Sequence, residues 1–338
     1  MSVIRGVYKV VIAGQDVTSR FAPLLKSLTI TRAAGETTDS ANFVLADPNG
    51  KTFMPQDRAS VEITLNGVWA FSGYVAEVSC EIAKDGGRQM TISASSADQG
   101  GKVKEPALRQ KDDASLSDVA KEWGGKVGLN VQVIGSVSSV QRPYWIMQNE
   151  SFMSWAQRTA REVGGTFKII GDRAFIAARS EGVSASGRPL TPIPVRGGGN
   201  LKSGTITPII SRPKFGNVKL EYFDRAKGER VEVDVDTGVQ GVDVTLRELI
   251  TAADEEQAKQ KAEAKGKESD REQGQGSVTI IGDPRAEPEA ECSVSGFRPG
   301  VDGTYRIHSV THKVGKSGGF ETTLELRQPK GGAGVDSR

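Results

Sequence analysis

Few residues of this 338-residue chain have the type and spacing that chemistry requires. His308 and His312 are its two imidazoles. They lie four apart in an alternating stretch, so a strand there would turn both to one side. A zinc pair would need a third ligand, and no further His or Cys is nearby. Two polar strand residues are the simpler reading. Glu150 and Glu162 bracket a predicted helix and would be the paired carboxylates of a cell-wall glycosidase. Carboxylates near helices more commonly cap the helix or offset its dipole. Gly182-Val183-Ser184-Ala185-Ser186-Gly187 misses a nucleophile elbow by one position. Gly315-Lys316-Ser317 ends like a phosphate loop, but Val310 stands where the first glycine is required. Gly197-Gly198-Gly199 precedes no predicted helix, which leaves a dinucleotide reading weak. No catalytic residue, metal ligand set or cofactor is expected.

Composition narrows the classes further. With 44 basic and 42 acidic residues the formal charge is +2. That balance argues against specific nucleic-acid binding or an anionic membrane partner. Lys102, Lys104, Arg109 and Lys111 form a mild basic run, read as a solvated connector. The N-terminal stretch has no long apolar segment, so neither a signal peptide nor a membrane anchor is expected. Cys80 and Cys292 read as two thiols of a chain folded in a reducing cytoplasm. A long-range disulfide between them stays open. Trp69 and Phe71 lie beside the Gly67 turn, and Tyr144 and Trp145 precede a predicted helix. These four are possible interface anchors, although core packing is the ordinary fate of such side chains.

The elements that hold these residues are mostly strands. Residues 1–100 alternate apolar and polar in short runs, clearest at Val61-Glu62-Ile63-Thr64-Leu65 before the hairpin signal Asn66-Gly67. Residues 101–180 change pattern. Ser115-Leu116-Ser117-Asp118 caps a helix, and a second helix from Ser151 ends at Gly164-Gly165. This segment reads as a small α/β insertion. Residues 181–204, rich in Gly, Ser and Pro, read as a linker. Strands resume over 205–329, with a weakly apolar surface helix near 252–270. Residues 330–338 read as a disordered tail.

Two distant stretches share an order of features. One starts at Phe43, the other at Val278. Each has a strand, then Asp-Pro (Asp47-Pro48; Asp283-Pro284), then an alternating strand. A Gly followed closely by Tyr opens the next strand (Gly73-Tyr74; Gly303-Thr304-Tyr305). Gly86-Gly87 and Gly318-Gly319 then lead into a last strand. This predicts two copies of one β fold, although any two meanders share some of this punctuation.

Taken together, Phe43-Val44-Leu45-Ala46-Asp47-Pro48, Asn149-Glu150-Ser151-Phe152 with Trp155 and Gly164-Gly165, and Gly296-Phe297 through Gly303-Thr304-Tyr305-Arg306-Ile307 to His312 resemble the late control gene D proteins. These are tail or baseplate hubs of contractile-tailed phages and related injection particles. The resemblance implies a mainly β chain with two tail-tube-like β-barrels flanking the α/β insertion. It implies a homotrimer whose six barrels make a pseudo-sixfold ring. Such a ring would join a hexameric tail tube to a trimeric central spike, with the tape-measure protein as a further partner. It also implies a place in the virion tail, assembled in the host cytoplasm, and no enzymatic activity. A competing reading comes from residues 112–120, which look like the start of a peptidoglycan-binding LysM motif. A capped helix beside a short strand gives the same pattern without a ligand.

Overall fold

The computed structural model describes residues 6–84, 87–98, 100–179, 184, 187–210, 215–224, 227–236, 244–247, 252, 254–271, 274–316 and 319–336. Gly86, Gly182, Val183, Ala185, Ser186, Ser317 and Gly318, which figure in the sequence reading, lie outside these residues.

The first unit comprises β1 (Tyr8–Ile12), β2 (Gln15–Asp16), the single turn α1 (Thr18–Phe21), β3 (Leu25–Ala33), β4 (Ser40–Ala46), β5 (Ser60–Leu65), β6 (Val68–Ala83) and β7 (Gly87–Ser95). Period-two alternation turns Ala41, Phe43 and Leu45 of β4, and Val61, Ile63 and Leu65 of β5, into one core. Asn66 and Gly67 both take positive φ to reverse the chain between β5 and β6. The strand order is β3-β4-β7-β6-β5-β1-β2. Val10 of β1 and Ile30 of β3, near opposite ends of that order, share the core, so the sheet wraps around it.

The α/β segment comprises β8 (Pro106–Ser115), α2 (Leu116–Gly125), β9 (Asn130–Ile134), β10 (Gln141–Ser151), α3 (Phe152–Glu162), β11 (Gly165–Ile170) and β12 (Arg173–Ala178). It is built from two strand-helix-strand halves, with β8 antiparallel to β10. In each half a serine caps the helix: Ser115 Oγ accepts from the Asp118 amide and Ser151 Oγ from the Ser154 amide. In each, the residue two before the cap takes positive φ, Asp113 at 45° and Asn149 at 50°. The LysM-like look of residues 112–120 is thus one of two occurrences of a single capping device. Trp123 and Trp155 meet in the core between the halves, ring centroids 4.8 Å apart.

The second unit comprises β13 (Ile193–Arg196) and β14 (Leu201–Thr207), then β18 (Gln275–Ile281), β19 (Glu291–Ser295), β20 (Gly303–Gly315) and β21 (Gly319–Lys330). Between β14 and β18 lie β15 (Asn217–Asp224), β16 (Glu229–Asp236), β17 (Thr245–Arg247) and α4 (Glu255–Arg271). Here the structure departs from the sequence reading in four places. The expected linker carries β13 and most of β14, because Ile193 and Val195 are buried against the second core. Strands β15–β17 form their own three-stranded sheet outside the main one. The helix read as solvated packs on that sheet, with Ala258 and Ala262 fully buried. An alanine stripe is weakly apolar by hydropathy, yet it lets the helix approach closely. Residues 331–336, expected as a disordered tail, form turns in which Gly334 donates to the Gly300 carbonyl and Ala333 is buried.

The second unit's order is β14-β18-β21-β20-β19-β13, which repeats β3-β4-β7-β6-β5-β1 strand for strand and in the same chain order. Its irregularities repeat too. A bulge between Val75 and Glu77 of β6 answers one between Ile307 and Ser309 of β20. Another between Leu25 and Ser27 of β3 answers one between Leu201 and Ser203 of β14. Arg58 and Glu289, with φ of 58° and 70°, donate to the carbonyls of Val75 and Ile307. One difference stands: β1 pairs antiparallel with β5, whereas β13 pairs parallel with β19. The two barrel-like units are joined in a single thirteen-stranded sheet, because β20 also pairs with β3. No pairing among the described residues closes either unit separately.

Candidate assembly surface

The two units meet along an antiparallel seam, Ser309–Gly315 of β20 against Ser27–Ala33 of β3. His312 stands opposite Ile30 there, both essentially without solvent exposure. His312 Nδ1 lies 3.0 Å from Thr322 Oγ1, and its ring packs on Phe320. Burial, with the nearby Arg32 charge, pushes its pKa down to about 3, so the imidazole is neutral at ordinary pH. The bulge after Ile307 breaks the strand's alternation, so Ile307 and Val310 both face the core. His308 falls at that bulge and does not share the face of His312, which corrects the same-side expectation. No group of metal-binding residues occurs among the described residues.

At one end of the seam a buried ionic cluster ties three segments together. Lys168 of β11 reaches Asp39 at 2.6 Å and the Ala33 carbonyl at 2.9 Å. Arg32 of β3 faces Asp39 at 3.8 Å and Glu287 of the second unit at 3.5 Å. Arg188 reaches Glu287 at 3.3 Å. The guanidiniums of Arg32 and Arg188 sit 5.1 and 4.9 Å from the Trp69 ring centroid. Ser96 closes the link by accepting from the Asp39 amide and donating to the Ile169 carbonyl. Asp39 and Lys168 are both nearly without solvent exposure, so the ion pair between them is a buried one.

This arrangement decides the fate of the candidate interface aromatics. Trp69 is held within the molecule by the two arginines and donates to Ser72 Oγ. Phe71 is buried in the first core, and Trp145 in the α/β core with its indole on the Ala114 carbonyl. Tyr144 is 45% exposed and is the one of the four that faces solvent substantially.

The repeat residues are structural. Asp47 closes its turn on the Thr52 amide and hydroxyl, just before Pro48 in sequence, and Asp283 closes its turn on Arg285, across Pro284. The strand registers match Gly73 with Tyr305, one residue away from the Tyr74–Tyr305 match read from sequence. Tyr305 is buried, with its hydroxyl donating to the Val301 carbonyl, whereas Tyr74 is half-buried. A side chain at Gly73 would put its Cβ 2.1 Å from the Ser95 carbonyl oxygen. Gly303 is likewise hemmed in, by the Ala333 amide at 2.6 Å.

Glu150 and Glu162 do come together, but on Arg158, which lies 2.6 and 3.2 Å from them. Glu162 also pairs with Arg142 at 3.0 Å. These contacts make both carboxylates ion-pair partners that brace α3. Of the basic run, Lys111 pairs with Glu122 and Arg109 donates to the Trp123 carbonyl at the end of α2. Both cysteines are free thiols, Cys80 exposed on β6 and Cys292 buried in the second core, where burial pushes its pKa up to about 12.

What sequence reading missed is the surface left over. The half of β6 from Glu77 to Ala83 pairs with β7 on one edge, and among the described residues no strand lies on its other edge. Among the described residues, β14 pairs with β18 on one edge and with no strand on the other. Both stretches are largely solvent-exposed, and Ile82 in the first is 72% exposed. Bare strand edges carrying apolar side chains are templates for pairing with another chain.

No protein-family model matches the chain. It is 25% identical over 356 aligned residues to the probable baseplate hub protein of Escherichia phage 186, covering 92% of the chain and 90% of that protein. Among solved structures, the 43 kDa tail protein of prophage MuSo2 from Shewanella oneidensis matches with TM-score 0.70 at 16% identity, over 95% of this chain and 98% of that one. The tail protein from Neisseria meningitidis MC58 matches with TM-score 0.71 at 15% identity, over 96% of both. The structural matches establish a shared fold. Across nearly its full length the chain is thus similar in sequence to a probable baseplate hub protein of a phage, and it shares the fold of phage tail proteins, as the resemblance to the late control gene D proteins led us to expect.

Proposed function

We propose that this chain is a structural hub subunit, three copies of which form a ring of six equivalent β units joining a hexameric tail tube to a trimeric spike. One observation carries the reading: each chain holds two copies of the same six-stranded unit, already joined edge to edge. A subunit with doubled units can meet sixfold symmetry on one side and threefold on the other. Head-to-tail contacts of this kind make rings when the rotation closes. The name of the phage 186 relative supports a place in the baseplate. The tape-measure protein, and DNA in transit, would pass through the opening. A near-neutral chain suits that passage, because dense Lys and Arg contacts would hold nucleic acid back.

Light scattering behind size exclusion, followed by electron microscopy, tests this. The expected particle is a ring with a central hole and a mass near 108 kDa, three times the 36.0 kDa chain. It should bind purified tube and spike proteins at opposite faces. A chain that stays monomeric at its highest soluble concentration, alone and with spike protein, overturns the reading.

A further inference from the structure

We infer that the bare half of β6 in one copy pairs antiparallel with β14 of the next copy, in the register that β20 and β3 use within a single chain. This rests on the ring reading above and specifies the contact between its subunits.

The inference follows from the duplication. By strand order and by position of their bulges, β20 is the second-unit counterpart of β6, and β14 is the counterpart of β3. Each unit therefore has two joining edges, one on its long β6-type strand and one on its β3-type strand. Within a chain, the long strand of the second unit takes the β3 edge of the first. That leaves the long-strand edge of the first unit and the β3-type edge of the second, and both are bare among the described residues. A second copy supplies the missing partner for each, and the same join is then made between chains as within one.

The register can be read off. The β6–β7 hairpin closes at Ala83 opposite Gly87, and the β20–β21 hairpin at Gly315 opposite Gly319. Counting back, Cys80 corresponds to His312 and Glu81 to Lys313. Pairing of Ala41 with Ile30, and of its counterpart Gly276 with Ile206, makes Ile206 the counterpart of Ile30 and Thr205 that of Thr29. Within the chain His312 faces Ile30 and Lys313 faces Thr29. Between chains, therefore, Cys80 faces Ile206 and Glu81 faces Thr205. The same count puts Ser79 opposite Thr207 and Ala83 opposite Ser203.

Side chains agree with this placement. Val314, the counterpart of Ile82, is 5% exposed because its strand is paired on both edges, whereas Ile82 is 72% exposed. Pairing with β14 gives Ile82 the cover that Val314 already has. No like charges fall opposite each other, since Glu81 meets Thr205 and the one lysine of β14, Lys202, is engaged by Glu321.

The hydrogen-bond phase supplies a sharp test. Ala34 donates to the carbonyl of His308, its partner in register, so alternate pairs from there, including Ile30–His312, are hydrogen-bonded. By correspondence Ile206 points its N–H outward, away from β18. Ile206→Pro then removes a donor from the joining edge while leaving the β14–β18 ladder intact. Glu81–Thr205 is a pair of the other kind, whose side chains come closer and suit a disulfide.

The experiment uses the full chain with Cys80→Ser; Cys292 is buried. Carrying Glu81→Cys and Thr205→Cys together, it should yield a reduction-sensitive covalent trimer on denaturing gels after mild oxidation. A mixture of the two single variants should yield covalent dimers, which only a contact between chains can give. Glu62→Cys with Thr205→Cys should yield neither. Ile206→Pro should remain folded by circular dichroism and lose the trimer. In the unmodified trimer, Cys80 should react with a thiol reagent about tenfold more slowly than in the Ile206→Pro protein. A sample with trimer mass but no 81–205 cross-link, or equal cross-linking through Glu62→Cys, overturns this pairing and leaves the ring standing. A trimer that survives Ile206→Pro does the same. A chain that never trimerises overturns both.

Discussion

Lys26 and Lys202 occupy the same bulge of two equivalent strands, and each reaches the equivalent residue of its neighbouring hairpin. Lys26 meets Gln89 at 3.0 Å, and Lys202 meets Glu321. Gln89 faces Glu81 across its hairpin as Glu321 faces Lys313 across the other. Exposed contacts of this kind contribute under about 1 kcal/mol. What the duplication has kept is therefore the bulge, which turns one residue out of the ladder and bends the strand beside each joining edge. The following predictions test the contacts on which this duplicated frame depends.

Asp39→Ala should destabilise the chain by about 3–5 kcal/mol, because it leaves Lys168 buried without its carboxylate and Arg32 with Glu287 alone. Asp39→Asn with Lys168→Met should cost clearly less than Asp39→Ala alone. Urea unfolding of the three proteins measures this. Equal loss in the single and double variants would show that the ion pair does not join the α/β segment to the first unit.

His312 makes stability depend on pH. Its folded pKa lies near 3, below its ordinary 6.5, so the unfolded chain takes up a proton that the folded chain refuses. The stabilisation is present in full above pH 6.5 and is lost as pH falls from there toward 3, at up to about 1.4 kcal/mol per pH unit. His312→Gln should remove this loss, so that the difference in stability between the two proteins changes steadily as pH falls through that window. Parallel curves between pH 6.5 and 4 would contradict the assignment.

Ser115→Ala and Ser151→Ala should each cost about 1 kcal/mol, since each removes the side-chain acceptor for an N-terminal helix amide. Replacement by Asp should restore most of the loss. Thermal or denaturant midpoints suffice, and an unchanged midpoint for either alanine variant would exclude a capping role at that helix.

Two glycines separate crowding from backbone strain. Gly14 has φ of +76° and open space around it, so Gly14→Ala should cost about 1 kcal/mol. Gly73→Ala forces a Cβ against the Ser95 carbonyl, and the cost should be about 3 kcal/mol. Comparable losses at the two sites would mean that β6 and β7 shift easily where they cross.

Local features were legible in the sequence because their causes are local. Alternation in β4 and β5, the positive-φ turn at Asn66-Gly67, and the Ser115 cap each depend on a few consecutive residues. The repeat was visible in its punctuation, but one residue out of frame at Tyr74, because the match was set on the tyrosines rather than on the ladder that pairs Gly73 and Tyr305 with their neighbours. His308 was misplaced for a related reason: a bulge adds a residue without leaving a local signature.

Long-range pairing was beyond the sequence. Nothing near Ile193 or Val195 tells that a Pro- and Gly-rich stretch is recruited as a strand, because its partner is Cys292–Ser295, about a hundred residues away. Ala258 and Ala262 gain their burial from a sheet that forms before them in the chain. The meeting of Asp39, Lys168 and Glu287, and the seam that sets His312 against Ile30, are likewise products of tertiary structure. The sequence by itself determined most of the strands, the capped helices and that one unit occurs twice. Only the folded chain decided which edges are joined and which are left bare, because edge pairing depends on where whole sheets come to rest.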